Sequence, residues 1–448
     1  MKKTGTQRSG KKNIIDLKLI LRTLQYRNYR LFFIGQGLSL IGTWIQRIAL
    51  SWLVYRMTGS AFFLGLVGFS SQLPSFLLSP FAGALADRLN KYRLIIITQA
   101  VAMLQAFILA WAVLTHSIAV WSIIVLSILL GFINAFDIPV RQSFVVELIG
   151  RREDLGNAIA LNSAMFNVAR LLGPGLAGIM INSVGEGVCF LINAISFIAV
   201  LISLFLMKIP YHKIKQKTGN ILHEIKDGLR YAYHFEPIRY ILIFLSIMSL
   251  VGMSYVVLMP VYVKELLHSG PEIFGILMSS SGIGALLGAI YLASRKSVLG
   301  LGKKITYSAA IMGGGLILLS QVHVLWVAMI MLFIIGLGMM VQMASSNTVL
   351  QTIVSDEKRG RVMSFYTMAF MGTAPFGSLM AGSLAGKLGA PSALILGGAA
   401  CILSAIWFLK KLPVLRKKVR PIYVEKGILP QVASGIGTAS NLTRPPEM

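Results

Sequence analysis

A chain that crosses a lipid bilayer must satisfy its backbone polar groups internally. Runs of about 20 apolar residues are therefore the strongest constraint a sequence can carry. Twelve such runs occur here, at roughly 31–54, 61–85, 94–115, 118–140, 156–182, 187–207, 239–263, 273–293, 305–322, 324–346, 362–386 and 390–409. The run at 305–322 is the weakest, being short and carrying Gly313-Gly314-Gly315. The runs are apolar all round, which excludes surface helices. The alternating ten-residue segments of a closed barrel are absent. The expected fold is an all-α membrane protein with twelve transmembrane helices. Residues 1–30 are basic and polar with no short apolar core, so the first run is expected to insert and stay.

Charge then orients the chain. There are 42 Lys+Arg against 16 Asp+Glu, a net charge of +26. On a soluble protein that balance points to nucleic acid. This chain is 56% hydrophobic and 13% charged, so the excess reads as basic loops on the cytoplasmic side of a membrane. With the N-terminus inside, 36 basic residues fall in the tails and inner loops. The outer loops hold only Arg56, Lys264 and Lys387, and the runs themselves hold Arg47, Arg141 and Arg170. A missed helix would invert every later loop, so the asymmetry predicts both termini in the cytoplasm. The surroundings expected are a lipid bilayer, with no nucleic acid partner. Cys189 and Cys401 form no disulfide framework and have no metal-ligand spacing. No cofactor and no metal are expected, and the chain is expected to be a monomer.

The longest internal polar stretch, 208–237, divides the runs six and six. The expected organisation is a basic N-tail (1–30), a six-helix bundle (31–207), a central cytoplasmic loop (208–237), a second bundle (238–412) and a C-tail (413–448). Ile221, Ile225 and Leu229 lie at helical spacing in the central loop, as in a helix on the membrane face or a plain tether. The halves repeat each other. Gly131, Gly173, Gly178 and Gly185 match Gly336, Gly377, Gly382 and Gly389 at offsets of 205, 204, 204 and 204. Pro174 and Pro375 lie close to the same register. Two repeated six-helix halves are a transporter plan.

Few polar residues lie where chemistry could use them. Asp137 is the one acidic residue placed within a run, with Arg141 one helical turn later and Pro139 between. It either loads a proton or forms a structural ion pair at the inner mouth. Glu147 is a second proton-carrier candidate, with a solvated loop position as its plainer reading. Arg170 shares the fifth run with Asn162 and Asn167, and is read as binding an anionic group or pairing with Asp137. Gln46 and Arg47 in the first run are candidate substrate contacts, or make interhelical hydrogen bonds. Gln342, Asn347 and Tyr366 supply a neutral polar set in the second half. Gly173, Pro174 and Gly178 permit a bend and close helix packing, as do Pro139 and Pro375 elsewhere. The loop segment Gly83, Asp87, Arg88, Arg93 joins a carboxylate to a basic cluster at the membrane edge. It reads as a conformational latch that docks on Arg359 and Arg361, or as a solvated loop that sets topology.

Several of these segments together resemble a known family. They are Tyr29-Arg30-Leu31-Phe32-Phe33, Thr43-Trp44-Ile45-Gln46, Asp137-Ile138-Pro139-Val140-Arg141-Gln142, Ala169-Arg170-Leu171-Leu172-Gly173-Pro174 and Arg359-Gly360-Arg361-Val362-Met363-Ser364. They resemble the enterobactin-exporter-like branch of the bacterial major facilitator superfamily, near the macrolide-efflux and other drug:proton antiporters. The loop motif departs from the family pattern at Asn90, where a glycine is common. Asn tolerates left-handed angles, so the turn survives. The resemblance covers roughly 25–410. It implies alternating access and export of a small amphipathic molecule, drug-like or a siderophore, with protons or another coupling ion as partner, in the bacterial inner membrane. An importer, a lipid flippase and a receptor or scaffold are the rival readings. No phosphate-binding loop and no catalytic constellation appear in the runs, so the chain is not expected to be an enzyme.

Overall fold

The computed structural model describes residues 22–86, 89–208, 230–295 and 297–429. Among these, the chain forms helices α1 (Arg27–Thr58), α2 (Ala61–Ala86), α3 (Lys91–Leu114), α4 (Val120–Glu147), α5 (Leu155–Phe205) and α6 (Glu236–Leu266). There follow α7 (Pro271–Ala293), α8 (Leu301–Leu319), α9 (Leu325–Ile353), α10 (Asp356–Met371), α11 (Ala374–Leu388) and α12 (Ala390–Glu425). Nine of these described helices are long and apolar enough to cross a membrane: α1 to α7, α9 and α12. The weak run at 305–322 becomes α8, whose first turn carries Lys303 and Lys304. The run at 362–386 is split at Gly372-Thr373 into α10 and α11, with Pro375 at the start of α11. Proline lacks an N–H, so it is tolerated in a first turn where no carbonyl awaits one. The central-loop stretch around Ile221 lies outside the described residues.

α5 has 51 residues. A straight helix of that length would span about 77 Å, more than twice a bilayer core. It breaks at Gly185, where φ is +82° and ψ is 169°. The two arms then run opposite ways along α1. The first arm lies parallel to it: Tyr29 Oη donates to the Ala158 carbonyl, Gly37 faces Met165, and Gly173 faces Trp44. The second arm lies antiparallel: Gly35 faces Ser203, and Gly42 faces Ser196 and Asn193. Glycines let the backbones approach, which matters in lipid, where no hydrophobic drive joins apolar helices.

Two pairs of the repeated glycines have similar local geometry. Gly389 has φ +84° and ψ 157°, close to the angles of Gly185. Both bend the chain straight into the next helix, and a side chain there would be strained. Gly377, the counterpart of Gly173, abuts the Leu250 carbonyl as Gly173 abuts Trp44. Thr373 donates to the Ser246 carbonyl, so α6 runs alongside α10 and α11 much as α1 runs along the first arm.

The chain divides into two compact units. One lies within Met1–Lys217 together with Met259–Gly282, the other within Thr218–Leu258 together with Ile283–Met448. In the first unit, the start of α7 packs antiparallel on α5. Gly275 meets the Pro174 carbonyl, Gly178 lies against Pro271, and Ser279 Oγ donates to the Leu171 carbonyl at 2.9 Å. The start of α5 is tied to that of α1 by buried Asp154, which accepts from Tyr26 Oη at 2.7 Å and pairs with Arg22 at 3.0 Å. The Tyr26 hydroxyl, with Arg22 beside it, holds this carboxyl below the usual carboxylate range.

Close glycine packing predicts a contrast. Gly275→Val would drive side-chain atoms into the α5 backbone, a kind of overpacking that costs about 1–3 kcal/mol or more. Gly314→Val enters open space on α8. The expected result is loss of monodisperse protein and a lower Tm for the first variant only, measured in detergent by size exclusion and thermal melting.

Candidate functional site

The first unit carries the charged chemistry. Asp137 on α4 is 3% exposed. One carboxylate oxygen pairs with Arg141 at 2.6 Å, and the other accepts from Gln99 at 2.7 Å and from Thr98 at 3.0 Å. Thr98 and Gln99 come from α3, so the carboxylate joins two helices. α4 continues through Pro139, which keeps Asp137 and Arg141 one turn apart on one face. Glu147 sits near the same end of α4, exposed, and pairs with Lys91 at 2.6 Å.

A second polar feature lies on α1 and α5. On α1, Gln36, Thr43 and Arg47 share one face, within about 40° of each other at 100° per residue. Leu38 is exposed on the opposite side. On the first arm of α5, Ser163, Asn167 and Arg170 form a matching stripe, with Val168, Leu172 and Ile179 exposed elsewhere. Arg47 lies 20 residues from Arg27 at the start of α1 and 11 from Thr58 at its end. Arg170 lies 15 residues from Leu155 and 15 from Gly185. Arg170 is therefore at the middle of its arm, and Arg47 lies in the C-terminal half of α1. Arg47 is exposed and stacks over the Trp44 ring at 4.8 Å, and Trp44 meets Phe166 edge-on at 5.9 Å. Charge within a membrane span is costly, so these side chains are candidates for the chain's transport chemistry.

Gln46 points elsewhere, about 100° around α1 from Arg47. It lies in a buried network: Asn193 donates to it at 2.7 Å, and it donates to Gln105 at 3.3 Å, tying α1, α3 and the second arm of α5 together. Asn162 is half-buried on the α5 arm, and Asn167 donates to the Ser163 carbonyl at 2.8 Å.

In the second unit, Gln342 lies against a small chamber lined by Met248, Met253, Met312, Met339, Leu245, Ser249 and Phe370. Tyr366 Oη donates to the Met343 carbonyl at 3.1 Å, with Asn347 beside it. Arg359 and Arg361 occupy the first turns of α10, half-buried. Of the latch segment, Gly83 lies in the last turn of α2 and exposed Arg93 in the first turn of α3. Asp87 and Arg88 lie outside the described residues. Asn90 caps α3, its side chain accepting from the Arg93 N–H at 3.1 Å.

Besides Asp154, the sequence reading missed three acidic groups. Glu186, at the restart of α5 after Gly185, is buried and forms a two-point ion pair with Arg56, at 2.8 and 3.1 Å. A carboxylate there also gains from the helix N-terminus. Tyr55 donates to Glu265 at 2.6 Å, and Asn182 donates to Glu272. These carboxylates border the apolar runs and their partners lie 90 to 210 residues away. The one available signal was the scarcity of charge at these helix ends, where Arg56 needed a partner.

With this geometry in place, comparisons assign the family. The family model described as transmembrane secretion effector matches residues 21–424. The chain is 30% identical over 391 residues to the staphyloferrin A transporter of Staphylococcus aureus, covering 85% of this chain and 96% of that one. It is 24% identical over 360 residues to the multidrug efflux pump Tap of Mycolicibacterium fortuitum, covering 78% and 87% respectively. Among solved structures, the nucleoside transporter NupG superposes with a TM-score of 0.65 at 14% identity, over 88% of this chain and 99% of that one, which shows the shared fold. The chain belongs to the transmembrane secretion effector family of the major facilitator superfamily, multi-pass membrane transporters of the efflux type rather than enzymes.

Proposed function

We propose that this chain exports a small amphipathic compound, a siderophore or a drug-like molecule, by alternating access driven by inward proton flow. Its relatives named for staphyloferrin A and for multidrug efflux support the substrate class and direction. The observation that carries the coupling is the buried Asp137 carboxylate, held by Arg141, Gln99 and Thr98. Protonation would cancel its charge and leave Arg141 without its counter-ion. Removing one partner of a buried pair costs about 3–5 kcal/mol, enough to bias a conformational equilibrium strongly. Loading a proton is in this way tied to moving α4 against α3. The bilayer arrangement proposed is twelve spans in two six-helix halves, 31–207 and 238–412, with the tails 1–30 and 413–448 and the loop 208–237 in the cytoplasm. Asp87 with Arg88, and Arg359 with Arg361, would form the inner latch that opens and closes once per cycle.

Two outcomes follow. Asp137→Asn should abolish transport driven by a pH gradient in inverted vesicles while the protein still folds. Full transport with an unchanged pH dependence would reject the role. For topology, single cysteines are placed in a Cys189→Ser, Cys401→Ser background. Ser117→Cys should react with an impermeant maleimide on intact cells, and Ser355→Cys only after permeabilisation. Labelling of both from outside would refute the arrangement.

A further inference from the structure

We propose that the seam where the start of α6 meets α12 around Trp407 and Lys411 binds the headgroup of an anionic phospholipid. This goes beyond the transport reading and depends on neither its direction nor its coupling. The two helices are joined there by aromatic pairs. The buried rings of Phe244 and Phe408 lie 4.7 Å apart, and Tyr240 meets Trp407 edge-on at 5.8 Å. Two cations converge on the Tyr240 ring. Arg239 holds its guanidinium 5.2 Å from the ring centre. Lys411, one turn beyond Trp407 on α12, holds its ammonium 5.4 Å from it. Arg239 lies equally close to the Tyr233 ring and donates to the Tyr233 carbonyl at 3.3 Å. These contacts orient the cations without neutralising them. Among the described residues neither makes an ion pair. Glu236, one turn back along α6, pairs instead with Lys418 at 3.0 Å. Exposed Lys410 adds a further positive charge, so the seam is short of negative charge.

Position and surroundings name the ligand. Arg239 opens the apolar run that begins at 239, and Lys411 follows the run that ends at 409. Both cations therefore stand where hydrocarbon gives way to headgroups, the level at which Tyr and Trp settle and basic side chains meet lipid phosphates. One turn into the apolar run, Ile243 is exposed on α6, and Leu403 is exposed one turn before Trp407 on α12. An acyl chain can lie along these while its phosphate is held by Arg239 and Lys411. A soluble anion would leave that apolar strip uncovered. Cations without counter-ions favour a lipid of net negative charge over a zwitterionic one, whose ammonium they repel.

The test uses the purified full chain in detergent micelles doped with lipid. Phosphatidylglycerol is the probe and phosphatidylcholine its zwitterionic counterpart. Phosphatidylglycerol should raise the Tm at mole fractions where phosphatidylcholine does not. Lys411→Gln should weaken the apparent affinity about five-fold, and Arg239→Gln together with Lys411→Gln about 25-fold. Lys411→Arg should retain it. Arg416→Gln with Lys417→Gln removes charge farther along α12 and should leave the affinity unchanged. Phosphatidylglycerol brominated on its acyl chains should quench a fluorescence component that is lost in Trp407→Phe and that brominated phosphatidylcholine does not reach. Arg239→Gln also removes the bond to the Tyr233 carbonyl, so Lys411→Gln carries the test if the double variant fails to fold. Equal stabilisation by the two lipids, an unchanged affinity in Lys411→Gln, or an equal loss in the Arg416 and Lys417 variant would overturn the site. So would stabilisation by sn-glycerol 3-phosphate at the same concentrations, which would make the ligand a soluble anion.

Discussion

Close backbone contact between helices is the constraint on which the rest of this molecule depends. In lipid an apolar side chain gains nothing by meeting another, so association rests on van der Waals fit and on a few hydrogen bonds. Here that fit is made by glycine. Gly35 and Gly42 seat the second arm of α5, Gly37 and Gly173 seat the first, and Gly178 and Gly275 join α7 to α5. Long interhelical hydrogen bonds then fix rotation. The Gln46, Gln105 and Asn193 network holds α1 so that Gln46 turns inward and Arg47 turns to the polar side. The placement of one charge is thus decided by the packing of its neighbours.

The charges divide into two kinds. Arg56 with Glu186 and Arg22 with Asp154 are tight pairs near helix ends, and Arg141 with Asp137 is a tight pair within α4. Such pairs hold a geometry, and one that can be broken by a proton can also report on it. Arg47 is of the other kind, an exposed guanidinium stacked on the Trp44 ring.

The apolar runs were legible because hydropathy is a one-dimensional property, and the structure forms helices over each of them. The repeated glycines were legible as a period, although their meaning was not. That Gly185 and Gly389 share one unusual backbone state, and that Gly173 and Gly377 abut equivalent neighbours, needed coordinates. Pairing was the least legible. Glu186 stands in a Gly-Glu-Gly turn that reads as loop, and its partner Arg56 is 130 residues away. Asp137 and Arg141 were readable as a pair because helix geometry links residues four apart. Gln46 and Arg47, adjacent in sequence, drew the same reading, yet a step of 100° sends them to different surroundings.

Gly185 and Gly389 also bear on how this protein can be handled. Each joins two long helices with a single residue, so the chain has no slack there. An epitope tag, a protease site or a fluorescent insert placed after either glycine would have to unwind helix on both sides. The short segment at His268-Ser269-Gly270, between α6 and α7, adopts no helix and includes a left-handed His268. It offers engineering a place to enter that the two glycine joints do not.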